Sequence, residues 1–298
     1  MEQYTDEDEL PCFDIILTDG SNNGANFRFE NDPADPYERT NVIERRGLLH
    51  IRCTVREIVH GHWSDEEQDE ATLLVLLFRF DTDDPGRRIK HARIKLAFSG
   101  PSPTHPEPEV ARLWPDKTYN VFPTTRTEIV CNGITGSLSF GAEVGSRLSY
   151  NRAKTVKREL QSMGRVRGSA DTRGRNYGLH NSASWALMEN PDIRSGIPAA
   201  MQCAVLVRRR ALEEQFSATI EVTVAADLLT AAREWVRGVF SQPGKVDPIL
   251  FDPKRPPTNN LRVYNERTRA TLGSIKLDDP SLTDITLRNV WHAAEKHT

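Results

Sequence analysis

The most suggestive spacing of chemically capable residues lies in DGSNNGANFRFE, Asp19 to Glu30. Asp19, Ser21 and Asn23 hold the first, third and fifth places, Gly24 the sixth and Glu30 the twelfth. This is the spacing of an EF-hand-type calcium loop, in which oxygen donors converge around a sharp glycine turn. The surroundings oppose the full motif, because Asn26 stands where an apolar residue is usual and NDPADP forbids an immediate exiting helix. A Gly/Asn-rich turn between strands would use the same residues without an ion. Calcium at Asp19, Ser21, Asn23 and Glu30 is the one cofactor the sequence offers, and no other is expected.

HGHW, His60 to Trp63, places two imidazoles two residues apart, on one face if the segment is a strand. No third ligand follows at recognisable spacing, and Gly61 points to a solvent-facing turn instead. Nucleophile elbows, Cys-centred signatures and phosphate-cradling glycine loops are absent. No catalytic residue is nominated, and the balance leans away from an enzyme. One pocket remains as a candidate: in SASWALMENPDIRSGIP, Glu189 and Asn190 would be polar ligands beside Trp185.

The strongest charge signal is cationic. Between Arg147 and Arg175 lie Arg147, Arg152, Lys154, Lys157, Arg158, Arg165, Arg167, Arg173 and Arg175, against only Glu159 and Asp171. The whole chain carries a formal charge of -3, so this segment is a local partner surface in a molecule that is not basic overall. An acidic protein surface or anionic lipid fits it. RNA fits less well, because only Tyr150 and Tyr177 flank the cations as stacking groups. Self-association is a further expectation.

The elements that must position these residues are mostly strands. LLHIRCTVREIV alternates in part, ATLLVLLFRF is apolar on both faces, and RIKLAF returns after a DDPG turn. MQCAVLVRR and FSATIEVTV repeat that order in the second half, an echo that fits either a duplication or two ordinary hairpins. SLSFGAEVGSRLSYN alternates from Leu138 to Tyr150, with Leu138, Phe140, Ala142, Val144, Leu148 and Tyr150 on one parity. One helix is expected at about 227–240, opened by Asp227 and stopped by Pro243-Gly244, and a weaker one from about Asp284.

The fold class is therefore mainly β: an antiparallel sandwich or partly open barrel with one helix in the C-terminal half. The expected division is an acidic, turn-rich extension (1–47), a β-rich core (48–240) and a Pro-rich wrapping tail (241–298) docked by Ile249, Leu250 and Phe251. MEQYTDEDEL is unlike a secretory signal, no apolar run suits a membrane-spanning helix, and four scattered cysteines suggest no disulfide framework. A cytoplasmic protein is expected.

Three functions follow as expectations. The first is a non-catalytic binding or assembly protein that uses the basic segment 147–175. The second is a pore-forming or membrane-inserting protein with an amphipathic hairpin of 138–150 and 177–187, the basic stretch between them drawn to anionic lipid. If both strands instead lie in the soluble sheet, the link is a solvated loop or short helix around Val156, Leu160 and Met163. The third is an enzyme with a pocket near Trp185.

Overall fold

The computed structural model describes residues 14–17, 30–45, 49–66, 68–82, 87–102, 105–132, 154–174, 176–210, 215–226, 247–258 and 261–286. The calcium positions Asp19, Ser21 and Asn23, the alternating stretch 138–150, the expected helix at 227–240 and the cations Arg147, Arg152 and Arg175 lie outside them.

Among the described residues the chain is mainly antiparallel β in two facing sheets, neither closed into a barrel. One sheet runs β1 (Asp14–Leu17), β11 (Phe216–Ala226), β5 (Ile89–Ser99), β9 (Ser182–Met188), β8 (Lys154–Asp171) and β7 (Thr118–Asn132), with β12 (Ile249–Phe251) also on β11. The other runs β13 (Asp284–Thr286), β10 (Ala200–Arg209), β4 (Glu70–Thr82), β3 (Leu49–His62) and β2 (Asn41–Arg45), with β6 (Glu109–Trp114) also on β10. Strands β1, β2, β12 and β13 thus join the same two sheets from outside the expected 48–240 core.

Period-two patterning decides what each strand buries. Ile94, Leu96 and Phe98 of β5, Ala183, Trp185 and Leu187 of β9, and Val222 and Val224 of β11 point into the sandwich. They meet Leu74, Leu76 and Phe78 of β4 and Cys203, Val205 and Val207 of β10. The opposite faces of β4 and β10 are apolar too, for a different reason. Leu73, Val75, Ala204 and Leu206 pack under Tyr264, Leu272, Leu277 and Leu282 of the C-terminal segment, which forms a third layer. In β3, Leu49, Ile51, Cys53 and Val55 face inward until a bulge between Val55 and Glu57 reverses the parity, so that Ile58 faces the same core.

The echo between the halves has a structural counterpart. The strand pairs β4–β5 and β10–β11 each cross from one sheet to the other, so neither is a hairpin. Their equivalent members pair antiparallel, β4 with β10 and β5 with β11. The described helix is short: α1 (Glu266–Ala270), capped by Asn265, whose Oδ1 accepts from Thr268 N–H at 2.8 Å. The expected helix from about Asp284 begins instead as β13, because the edge of β10 accepts it with Ile285 opposite Met201.

Candidate functional site

The basic segment is not a loop or short helix between two hairpin arms. From Lys154 to Asp171 it is one 18-residue strand, β8, and it pairs with β7 from Thr118↔Arg167 to Asn132↔Lys154. The expected arm 177–187 is corrected as well. Residues 177–181 are loop, with Tyr177 80% exposed, and Ser182–Met188 is an interior strand, β9, with Trp185 fully buried. It pairs β5 on one side and β8 on the other, so no edge is free for a hairpin partner at 138–150.

The strands that outrun the sheet are β8 and β7. Strand β9 accompanies β8 only from Asp171↔Ser182 to Arg165↔Met188. Beyond that point β7 and β8 pair with each other alone, from Thr124↔Ser162 to Asn132↔Lys154. The result is a two-stranded ribbon standing off the end of the sandwich, open on both edges among the described residues. Its arms lead into 133–153, the stretch whose sequence alternates.

The root of the ribbon is firmly built. Phe122 and Pro123 bulge against Met163, and Phe122 sits at φ 50, in the left-handed region. Asn190, fully buried just after β9, holds this bulge. Its Nδ2 donates to Phe122 O (2.6 Å), Thr124 Oγ1 (2.9 Å) and Ser162 O (3.1 Å), and its Oδ1 accepts from Ser162 Oγ (2.9 Å) and Asp192 N (3.0 Å). Gly164 lets this turn approach, for a Cβ there would lie 2.9 Å from Met188 O and 3.2 Å from Asn190 N.

The three pocket candidates have all their described polar contacts inside the fold. Trp185 Nε1 donates to Pro115 O at 3.2 Å. Glu189 takes Arg88 Nε at 2.9 Å and Gly196 N at 3.1 Å, and Asn190 is spent on the ribbon root. They come together as framework around Gly164 and β9, not as ligands of a cavity. Their polarity beside a Trp was legible in sequence; that Arg88 and Gly196 would occupy Glu189, and β7 and β8 would occupy Asn190, was not.

The cations are divided by the length of β8. At 3.3 Å per residue the strand spans on the order of 55 Å, so its two ends cannot form one patch. Lys154, Lys157 and Arg158 stand on the ribbon in register opposite Asn132, Ile129 and Glu128. Arg165 and Arg167 are exposed on the sheet, while Arg173 lies past the other end, 3.9 Å from Glu221. Glu30 is exposed. No group of three metal-ligating side chains gathers among the described residues.

A buried polar chain lies elsewhere. His60 is interior to β3 and not in a solvent-facing turn: its Nδ1 is 2.9 Å from Thr72 Oγ1 and its Nε2 2.8 Å from Glu38 Oε1. Arg209 donates from Nε to the same Thr72 oxygen at 3.1 Å and stacks over Phe216 at 5.3 Å. Burial lowers the Arg209 pKa to about 10 despite Glu70 at 3.9 Å. His62 is exposed and faces Glu70 at 3.0 Å.

No protein-family model matches the chain, and no curated protein matches it. Among solved structures it is similar to the membrane-inserted form of the Clostridium perfringens NetB toxin, at 11% identity over 58% of this chain and 77% of that one, with a TM-score of 0.24. It is also similar to Clostridium perfringens delta-toxin, at 11% identity over 62% of this chain and 88% of that one, with a TM-score of 0.17. At scores this low the likeness carries no argument. No helix of the described residues is long and apolar enough to cross a membrane, which leaves strands out of account.

Proposed function

We propose that this protein is a non-catalytic β-sandwich whose β7–β8 ribbon acts at anionic lipid. The observation that supports the reading is the ribbon's isolation: β7 and β8 outrun their sheet and, among the described residues, pair only with each other from Thr124↔Ser162 to Asn132↔Lys154. A lone two-stranded ribbon is marginal in water and leaves two rows of backbone groups unpaired. Such an element needs a further partner, and lipid with neighbouring copies can supply one, since strands enter bilayers only when their edges are closed by others. From Thr124 to Ser162 the sequence carries six Lys or Arg against three Glu, the sign that anionic lipid attracts. Divided at its middle, 133–153 gives about ten residues a side, close to the nine to eleven of a spanning strand. The expected hairpin of 138–150 with 177–187 is replaced by one drawn through 118–132 and 154–171.

The test is release of dye from vesicles. The full chain should empty phosphatidylserine-containing vesicles and spare purely neutral ones. A variant with residues 134–152 replaced by Asn-Gly should keep the melting temperature of the sandwich and release nothing. Binding to anionic vesicles without release would reduce the reading to surface attachment. No binding to any vesicle would defeat it, leaving an acidic protein as the partner of the basic strand.

A further inference from the structure

Resting on that reading, we infer that Asn190 is the latch of the ribbon: it holds the bulge at Phe122 closed and sets how readily β7 and β8 move as a unit beyond it. Asn190 belongs to neither strand, yet its one amide bonds both, through Phe122 O and Thr124 Oγ1 on β7 and the Ser162 backbone and hydroxyl on β8. Those four contacts fall where β9 ends and the ribbon starts, so among the described residues no ladder to a third strand shares the task.

The backbone it holds is strained. A non-glycine residue at φ 50 is disfavoured, and such a conformation persists only where its surroundings over-determine it. Here the surroundings are the Nδ2 contact at 2.6 Å and the partly buried Phe122 side chain against the core. If the amide is withdrawn, Phe122 can return to extended geometry and the ribbon is freed from the sheet at its base. The loop that carries Asn190 is itself braced. Asn190 N donates to Ser195 Oγ at 3.0 Å, Ser195 N to Asn190 O at 3.3 Å, and Glu189 ties Arg88 to Gly196 N. The latch is thus a braced side chain that holds a strained bulge.

Two measurements on Asn190→Ala and Asn190→Asp separate this inference from the function it rests on. The Asp variant keeps the acceptor and the shape but removes all three Nδ2 donations. In native-state hydrogen exchange, both variants should speed the amides of 124–132 and 154–162 by about tenfold or more, while β5 and the β9 amides bonded to β5 keep their wild-type rates. In dye release from anionic vesicles, both should shorten the lag relative to wild type. Acceleration spread evenly over β5, β8 and β9 would mean that Asn190 merely stabilises the fold, and unchanged ribbon exchange would mean that it holds nothing; either result overturns the latch. Ribbon-confined acceleration with no release from any protein, wild type included, would uphold the latch and sink the membrane reading. Ribbon-confined acceleration with a longer lag would make Asn190 a rigid mount needed for insertion, contrary to the inference.

Discussion

His60 Nε2 lies 2.8 Å from Glu38 Oε1, and both side chains are buried. The imidazole is shut between β3 and the segment before β2, with Thr72, Arg209 and Asp252 as its other polar or charged neighbours. Burial holds its pKa below the ordinary 6.5 and outweighs the pull of Glu38 in the other direction.

That shift fixes a pH dependence. With the folded pKa depressed, the unfolded chain takes up the proton first as pH falls, so the neutral imidazole stabilises the fold above about pH 6.5 and this contribution is lost on acidification below it. His60→Gln should melt lower than wild type at pH 7, because it loses packing, yet decline less steeply between pH 7 and pH 5. Parallel melting curves for the two proteins over that range would assign the acid sensitivity elsewhere.

Glu57 should prove expensive to remove. It is fully buried at the β3 bulge and accepts from Thr258 Oγ1 at 3.2 Å and from Leu261 N, tying the C-terminal layer to the sandwich. Glu57→Ala leaves two partly buried donors unpaired and should cost about 1–3 kcal/mol in urea unfolding. Early proteolysis within 258–283 should accompany it, since the cover over Leu73 and Leu206 hangs from that point. A loss below about 0.5 kcal/mol would show that packing alone holds the layer.

Two glycines of one stretch should behave oppositely to what their conformations suggest. Gly174 has φ 77, which side chains resist, but a Cβ there meets nothing within 4 Å. Gly168 needs no such freedom, yet its Cβ would stand 1.7 Å from Pro115 O, where the turn after β6 lies on β8. Gly174→Ala should therefore cost about 1 kcal/mol and Gly168→Ala several times as much, read as melting temperatures. Equal losses would mean that the Pro115 turn gives way freely.

The faces of the strands were legible because a period of two needs only the identity of each residue: Ile94, Leu96 and Phe98 against Arg93 and Lys95 could bury in only one way. What covers the second face of ATLLVLLFRF was not legible, for the cover comes from Tyr264, Leu272 and Leu277, some 190 residues on. The basic strand misled for a physical reason. Lys and Glu have low strand propensity, and the sequence from Lys154 to Asp171 shows no sustained apolar alternation. Its inward residues in the sheet are Gly164, Val166 and Gly168, small enough for β9's turn and Pro115 to come close, and glycines read as loop in a sequence. The partner of Asn190 was likewise invisible, since Phe122 and Ser162 reach it only through the bulge.

The charges on β8 allow a last discrimination, between the ribbon and the basic segment as a whole. Lys154, Lys157 and Arg158 stand on the free ribbon; Arg173 lies beyond the opposite end of the strand beside Glu221. Each cation near an anionic surface adds about 1 kcal/mol, so replacing the three ribbon cations with Gln should weaken binding to phosphatidylserine vesicles by roughly a hundredfold. Arg173→Gln should change it little. Both effects should shrink as salt rises past about 0.15 M, where screening acts within about 8 Å. Were Arg173→Gln to cost as much as the ribbon substitutions taken singly, the lipid-facing surface would have to include the loop end of the sandwich, and a ribbon standing off the other end would not be the element that meets the membrane.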